Sequence, residues 1–289
     1  MKSILLTFIF LGASFMNAQN INKEITTGKS PYLLGKINKE GLTSANYNGW
    51  FTKNYDNYQP DETVLRNIAN TLKDYEILLF MGTWCGDSKR EVPRFYKILE
   101  LSDYPMEQLT AVALSSQADM YKQSPEHEEK GLNIHRVPTF ILYKNGKEVN
   151  RIVEEPVESL EKDIQKIVSA NSYSSNYHTV TKIHTVLQSS GLQGLKKASK
   201  DIINENELES MYELNTYAHI LFTSNKTSES IAVLKLNQTL FPDNYRTYQN
   251  LGNKYARLGK RKKALKYYKQ AQNIEPNDQR LNKSISELE

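Results

Sequence analysis

Two stretches near the end of the chain repeat with a period of 34 residues. Aligning residues 211–244 with 245–278 places Pro242 on Pro276, and it places the turn at Asn225 on Gly259. A period of this length with a turn near its middle is typical of helix–turn–helix units. Such units are stable as a stack of about three, because each buries its apolar face against a neighbour. The period therefore predicts an all-α region in this part of the chain.

The second copy has aromatic, apolar and small residues at regular positions, which are Tyr248, Leu251, Gly252, Tyr255, Ala264, Tyr268, Ala271 and Pro276. With these spacings it resembles the tetratricopeptide repeat. The resemblance implies a concave surface that binds peptides or proteins, and a module that only stabilises or dimerises the protein is the alternative. Residues 177–208 are interpreted as a degenerate earlier unit, because Gly191 lies one further period before Asn225.

Length and composition indicate about two domains with sizeable cores. The chain has 289 residues, and a typical domain has roughly 150. Its content of 39% hydrophobic residues excludes a wholly disordered chain. The net charge of +4 comes from 37 basic and 33 acidic residues, so nucleic acid is not expected as a partner. The basic run at 259–263 falls in a predicted turn, which favours a solvated surface over an anion site.

The first eighteen residues have the pattern of a secretory signal peptide. Lys2 precedes an uncharged apolar stretch from Ile4 to Phe15, and the small residue Ala18 provides a cleavage site. An uncleaved membrane anchor is the alternative, but the strongly apolar part is shorter than the roughly 18 residues that a span needs. We therefore expect cleavage after Ala18, a periplasmic or secreted protein, and no stable membrane insertion once the signal is removed.

Cys85 is the single cysteine of the chain, so an internal disulfide is impossible. In an oxidising compartment, stability must then come from packing alone. An unpaired thiol in such a place either reacts with another molecule or is buried and inert. The sequence around Cys85 is therefore needed to distinguish a reactive thiol from a buried, inert one.

The segment around Cys85 is predicted to be a strand, a turn and a helix. Asp61 is expected to cap a helix over 62–74, and the apolar run Glu76–Met81 suits a buried central strand. A helix-forming segment, Lys89–Leu99, follows the cysteine. Cys85 is thus placed at a helix N-terminus, where unpaired N–H groups and the helix dipole stabilise a thiolate.

The rest of this domain is predicted to end in a β-hairpin and a helix. Asn145-Gly146 is the strongest short signal for a hairpin turn. Residues 19–60 are treated as an N-terminal extension without assigned structure. The remaining predicted elements are, in order, a strand over 109–114, a helix-like polar segment over 117–130, strands over 137–143 and 148–153, and a helix over 157–167.

Four features agree in type, order and spacing: Trp84-Cys85-Gly86-x-Ser88, Pro93, Val137-Pro138-Thr139 and the turn at 144–146. Together they resemble the thioredoxin family over roughly residues 60–168. The resemblance implies that Pro138 is in cis and lies beside Cys85. It also implies that the backbone at Val137 pairs with an extended substrate peptide.

The expected fold is an α/β thioredoxin-like domain followed by an all-α tetratricopeptide-like helical domain. A serine-rich, charge-free stretch provides the linker between the two domains. The predicted organisation is a signal peptide at 1–18, an N-terminal extension at 19–60, a thioredoxin-like domain at 61–168, a linker at 169–176 and a helical domain at 177–289.

Two departures from the thioredoxin pattern remove chemistry. Ser88 stands where the family has its second cysteine, and Leu79 stands where it often has a buried acidic residue. The hydroxyl of Ser88 is able to donate a hydrogen bond to the thiolate of Cys85, but it cannot attack sulfur. Asp87 opposes ionisation of the thiol, while the neighbouring basic residues favour it. Release of a mixed disulfide therefore requires a second thiol from outside the chain.

The functional hypothesis is an exported thiol-disulfide exchange protein that acts through one cysteine. Cys85 and Ser88 are the candidate catalytic residues, and Trp84, Val137 and Pro138 are the candidate substrate-binding residues. The expected partners are client polypeptides and an external thiol reductant. Neither a cofactor nor a metal site is expected, because four of the five histidines are scattered and no second cysteine exists.

The alternative hypothesis is a non-catalytic polypeptide-binding or scaffold protein in which the cysteine only packs. The residues that precede Pro138 bear on the site as well. His135 and Arg136 come just before it and are expected to be exposed and solvated, although a position facing the thiol is the other possibility.

Overall fold

The computed structural model describes residues 21–27, 30–205 and 207–289. The predicted signal peptide, residues 1–18, lies outside the described residues. The described strands are β1 Glu24–Ile25, β2 Tyr32–Leu33, β3 Gly35–Ile37, β4 Glu76–Met81, β5 Leu109–Ala113, β6 Thr139–Lys144 and β7 Lys147–Val153. The described helices are α1 Lys39–Leu42, α2 Asn48–Asn57, α3 Glu62–Leu72, α4 Gly86–Leu101, α5 Leu160–Val168, α6 His178–Glu205, α7 Met211–Thr223, α8 Thr227–Leu240, α9 Tyr245–Arg257, α10 Arg261–Ile274 and α11 Gln279–Ser286.

The first domain is built on a five-stranded mixed sheet with the order β3-β5-β4-β6-β7. The apolar strand β4 lies at its centre, parallel to β5 and antiparallel to β6, as its continuous hydrophobic run predicts. Leu79 of β4 is paired with Ala111 on one side and with Phe140 on the other. At the position where the thioredoxin pattern often has a buried carboxylate, this chain therefore has a leucine in the middle of the core.

The described residues from Gly35 to Asn57 belong to this domain rather than to a separate extension. Strand β3 pairs antiparallel with β5 and forms one edge of the sheet. Helix α2 packs on α4 through Phe51, whose ring lies 5.9 Å from that of Tyr96. The polar composition of this segment gives no clear secondary-structure pattern, although it contributes Ile37, Leu42, Tyr47 and Phe51 to the core.

Helices α2 to α5 share one core with one face of the sheet. Ile77, Leu79 and Met81 of β4 point into this core. Helix α3 begins where predicted, since the Asp61 carboxylate accepts hydrogen bonds from the N–H groups of Thr63 and Val64. These helices hold β4 in place, and β4 delivers Cys85 to the start of α4.

The opposite face of the sheet is covered by a long loop instead of a helix. Phe80 of β4 and Ile141 of β6 pack there against Ile134 and Val137 of this loop. The helix-like segment predicted over 117–130 is wrong, because these residues form only turns. Lys122 and His127 have positive φ angles of 59° and 55°, which a helix does not allow.

The predicted hairpin joins β6 and β7. Asn145 and Gly146 have φ angles of 54° and 71°, as a two-residue turn with two positive φ angles requires. The helix after the hairpin begins at Leu160 rather than at Val157, and Val157 is exposed. The predicted start of this helix at residue 157 is therefore wrong.

The C-terminal region is helical, as the 34-residue period predicts. Gly191, Asn225 and Gly259 have φ angles of 58°, 62° and 68°. Gly191 breaks α6 into two helical parts, and the other two residues lie in the turns between α7 and α8 and between α9 and α10. Gly252 allows α9 and α10 to approach closely, because a Cβ atom there would lie 2.4 Å from the Tyr268 ring. Across the described residues, no helix is both long enough and apolar enough to cross a membrane.

Candidate active site

The thiol of Cys85 lies at the N-terminus of α4 and is half-buried. The residue is the N-cap of this helix, in an extended conformation with φ −88° and ψ 133°. Its Sγ lies 3.3 Å from the carbonyl oxygen of Val137 and 3.8 Å from Oδ2 of Asp87. The sulfur is therefore at the end of the helix dipole, facing the loop that contains Pro138.

The peptide bond between Val137 and Pro138 is cis, as the resemblance implied. Val137 is only 2% exposed, and its carbonyl oxygen lies against the thiol. Its carbonyl accepts the hydrogen bond from Cys85 Sγ. Among the described residues, no acceptor receives the Val137 N–H group.

Ser88 lies one turn into α4, and its side chain is fully buried. Its Oγ accepts a hydrogen bond of 3.2 Å from the backbone N–H of Gly82. Within the described part of the chain, no hydrogen bond joins Ser88 to Cys85. The hydroxyl therefore fixes the turn before the active-site helix and does not contact the thiol in this structure.

Trp84 forms a wall next to the thiol. Its Nε1 donates a hydrogen bond of 2.8 Å to the carbonyl of Leu114 at the end of β5. The indole lies directly over Gly82, where a Cβ atom would be 2.6 Å from the ring. The other side of the indole faces Tyr121, with 5.7 Å between the ring centroids.

The carboxylate nearest to the thiol is compensated by a cation. Asp87 forms an ion pair of 3.1 Å with Arg90, one turn further along α4. Arg90 also pairs with Glu91 and with Glu155 of the segment after β7. The negative charge of Asp87 beside the thiol is thus partly neutralised.

Lys122 holds the loop that contains Pro138, and the sequence pattern did not predict this role. Its ammonium group donates a hydrogen bond to the carbonyl of His135, two residues before Val137. The side chain is buried, and burial together with the charge of Arg136 lowers the pKa of Lys122 to about 8. A polar loop gives no sequence signal for a buried lysine, so only the structure finds it.

The expectation that His135 and Arg136 are exposed is wrong. His135 is 1% exposed, and its ring makes edge contacts with Tyr177 and Tyr217 of the helical region. Burial lowers the pKa of His135 to about 3, so its imidazole is neutral. Arg136 forms an ion pair of 3.0 Å with Glu154 and lies over the Tyr177 ring. The helical region, which follows 40 or more residues later in the chain, covers both side chains.

The helical region also reaches the edge of the thiol site. His219 of α7 lies 5.6 Å from Tyr121 between ring centroids, and Tyr121 in turn contacts Trp84. Beside His219 is a groove of about 450 Å³ between α7 and α9, which we call the repeat groove. It is lined by Asn215, His219, Asn250, Asn253, Lys254, Ala256, Arg257 and Tyr268.

The candidate residues named from the sequence fall into two groups. Cys85, Trp84, Val137 and Pro138 come together, whereas the buried Ser88 hydroxyl bonds to the Gly82 N–H and makes no hydrogen bond with the thiol among the described residues. The described part of the chain holds no cluster of three or more histidine, cysteine, aspartate or glutamate side chains that is arranged to bind a metal ion.

Comparisons with known proteins agree with this geometry. Residues 60–166 match the thioredoxin family model, and residues 245–278 match a tetratricopeptide repeat model. The chain is 29% identical over 116 residues to Thioredoxin-2 of Pyricularia oryzae, which covers 39% of this chain and 59% of that protein. It is 28% identical over 97 residues to Thioredoxin H2-2 of Oryza sativa subsp. japonica, which covers 33% and 64%. The chain thus spans less than two thirds of the length of these curated relatives.

Proposed function

We propose that this chain, which contains a thioredoxin-like domain and a tetratricopeptide repeat, is a thiol-disulfide exchange protein that acts on client polypeptides through the single thiol of Cys85. The observation that supports this best is the position of Sγ. The half-buried sulfur lies at the start of α4 and 3.3 Å from the Val137 carbonyl, beside cis-Pro138. A cysteine that only packs in the core would need neither the helix N-terminus nor the adjacent cis-proline.

The exchange begins when the Cys85 thiolate attacks one sulfur of a client disulfide. The client S–S bond breaks, its other sulfur leaves as a thiolate, and a mixed disulfide joins the client to Cys85. The free N–H of Val137 supplies a backbone donor for an extended client segment. This arrangement would hold the client sulfur close to Sγ.

Release of the client requires a second thiol, because Ser88 cannot attack sulfur. A thiolate of the client or of an external reductant attacks the mixed disulfide, forms a new disulfide with the client sulfur and frees Cys85 as a thiolate. We propose that the helical region contributes client or partner binding. We also propose that residues 1–18 direct export to the periplasm or the exterior, where client disulfides occur.

Trapping tests this function. The chain without residues 1–18 is incubated with a disulfide-containing protein, and adducts are separated by non-reducing electrophoresis and identified by mass spectrometry. Because no resolving thiol is present in the chain, adducts that disappear on reduction should accumulate. Cys85→Ser should form none. Absence of adducts in the unmodified protein would contradict the proposed exchange.

Thiol labelling separates this function from the scaffold alternative, which the replacement of the second cysteine by Ser88 favours. In the exchange protein, iodoacetamide should modify Cys85 in the folded state. Modification that occurs only after unfolding in urea would support the scaffold reading instead.

A further inference from the structure

Lys254 of α9 is a buried cation without a carboxylate partner. The residue is 7% exposed, and burial lowers its pKa to about 8, so it stays largely protonated at neutral pH. Its Nζ donates one hydrogen bond, of 3.0 Å, to Nδ1 of His219, and it lies 4.5 Å from the centre of the Phe222 ring. An ammonium group has three donors. No carboxylate among the described residues lies within ion-pair distance of it.

The described residues around Lys254 also include cations and no carboxylates. No aspartate or glutamate is among the described residues that line the repeat groove. Arg257, one turn along α9, makes no hydrogen bond or ion pair with the described residues. The side-chain amides of Asn215 and Asn250 are also without such partners there. The groove therefore combines two cations with free amide donors, which is the composition that complements a carboxylate.

The repeat groove is connected to the thiol site by two ring contacts. Trp84 directly precedes Cys85, and its ring contacts Tyr121, which contacts His219. All three rings are half-buried, so each leaves a surface for a ligand. The two ring contacts of 5.7 and 5.6 Å and the hydrogen bond to Lys254 together span at most about 16 Å. An extended peptide rises about 3.3 Å per residue, so about five residues span this distance from the Trp84 ring to Lys254. The step from the ring to the neighbouring Cys85 thiol adds up to about two residues, so about five to seven residues reach from the thiol to the groove.

We propose that the repeat groove binds a carboxylate side chain of the client, located about five to seven residues from the client cysteine that reacts with Cys85. The two domains then recognise one extended polypeptide, and the helical region selects acidic clients. This inference rests on the proposed exchange function and adds a substrate class to it. The occupant is acidic rather than neutral, because a neutral peptide would leave the charges of Lys254 and Arg257 uncompensated in the groove.

The test uses the chain without residues 1–18 and synthetic peptides with one cysteine, activated as a disulfide with 2-nitro-5-thiobenzoate. The Cys85 thiolate attacks the peptide sulfur, the disulfide breaks, and coloured 2-nitro-5-thiobenzoate leaves as the thiolate, so absorbance gives the second-order rate. One pair of peptides carries Glu or Gln about six residues before the cysteine, and another pair carries them about six residues after it. All have amidated C-termini, and a peptide with a free C-terminal carboxylate at that position distinguishes a side chain from a chain end.

At low salt, one of the Glu peptides should react about ten-fold faster than its Gln counterpart, because charge-assisted hydrogen bonds to a buried cation contribute on this scale. Lys254→Met should remove this difference and leave the rate of the Gln peptide unchanged. Arg257→Gln, an exposed position that does not affect folding of the core, should reduce it. Lys266→Met removes an exposed lysine outside the groove and should keep the full difference.

Equal rates for Glu and Gln peptides in both pairs would overturn the inference, as would a difference that Lys254→Met and Arg257→Gln leave intact. Failure of the exchange function itself is recognised separately. If no peptide reacts with Cys85, the exchange proposal fails, and binding of labelled Cys-to-Ser peptides to Cys85→Ser, measured by fluorescence anisotropy, decides the groove inference alone. Tighter binding of a Glu peptide supports the inference, and equal binding refutes it.

Discussion

The burial of His135 between the two domains makes a quantitative prediction about acid stability. The pKa of this imidazole is lowered from 6.5 to about 3 by burial, so the folded protein keeps it neutral at pH 5. In the unfolded chain the same group is protonated below about pH 6.5. The unfolded state thus binds more protons as the pH falls, and the free energy of unfolding must decrease.

The size of the effect follows from linkage. Between pH 7.5 and pH 5, protonation of the unfolded imidazole lowers the free energy of unfolding by about 2 kcal/mol. This result depends on the unfolded pKa alone, as long as the folded value stays below about 4. Domains have about 5–15 kcal/mol of stability in total, so the loss from one side chain is measurable.

The substitution His135→Phe isolates the contribution of this imidazole to the pH dependence of stability. Phenylalanine keeps the ring contacts with Tyr177 and Tyr217, and it removes Nε2, which is buried without a hydrogen-bond partner among the described residues. The Asn133 carbonyl keeps its 3.1 Å hydrogen bond from the backbone N–H of residue 135. Urea unfolding followed by fluorescence at pH 7.5 and pH 5 gives the two free energies for each protein.

The variant should lose about 2 kcal/mol less than the wild type between these two pH values. All carboxylates contribute equally to both proteins and cancel in this comparison. Val157→Ala, which shortens an exposed side chain without an ionisable group, serves as the control and should retain the wild-type pH dependence. If His135→Phe lost as much stability as the wild type, His135 would not be buried and neutral, and the contact between the two domains would be wrong.

Three further predictions concern the thiol site. Ser88→Cys should create a dithiol that reduces insulin in a turbidity assay with dithiothreitol, and a cysteine pair that forms without activity would contradict the inferred geometry. Gly82→Ala should destabilise the fold by about 1–3 kcal/mol and shift tryptophan fluorescence, since a methyl group would lie 2.6 Å from the Trp84 ring; unchanged urea unfolding would refute this contact. Lys122→Met should cost about 1–3 kcal/mol, because the buried His135 carbonyl loses its ammonium donor, and it should slow alkylation of the thiol by iodoacetamide; an unchanged rate would show that this lysine does not position the loop.

The elements that were predicted well are those whose information lies within a few neighbouring residues. The strand β4, the cap at Asp61 and the turn at Asn145-Gly146 each depend on short patterns of hydrophobicity or backbone conformation. The period of 34 residues belongs to the same class, because each helix pair packs on its immediate neighbour in sequence. Local signals failed at 117–130, where a polar segment that is compatible with a helix forms turns against the sheet.

The amino-acid sequence by itself determined that one thiol stands at a helix N-terminus, that no second cysteine resolves it, and that helix pairs follow. Only the tertiary structure decided what surrounds that thiol. It buries His135 and Lys122, turns Ser88 toward Gly82, and brings His219 to Tyr121. The reason is physical: backbone conformation is encoded locally, whereas the ring contacts of His135 and Tyr121 come from segments about 40 to 100 residues away, which no short pattern records.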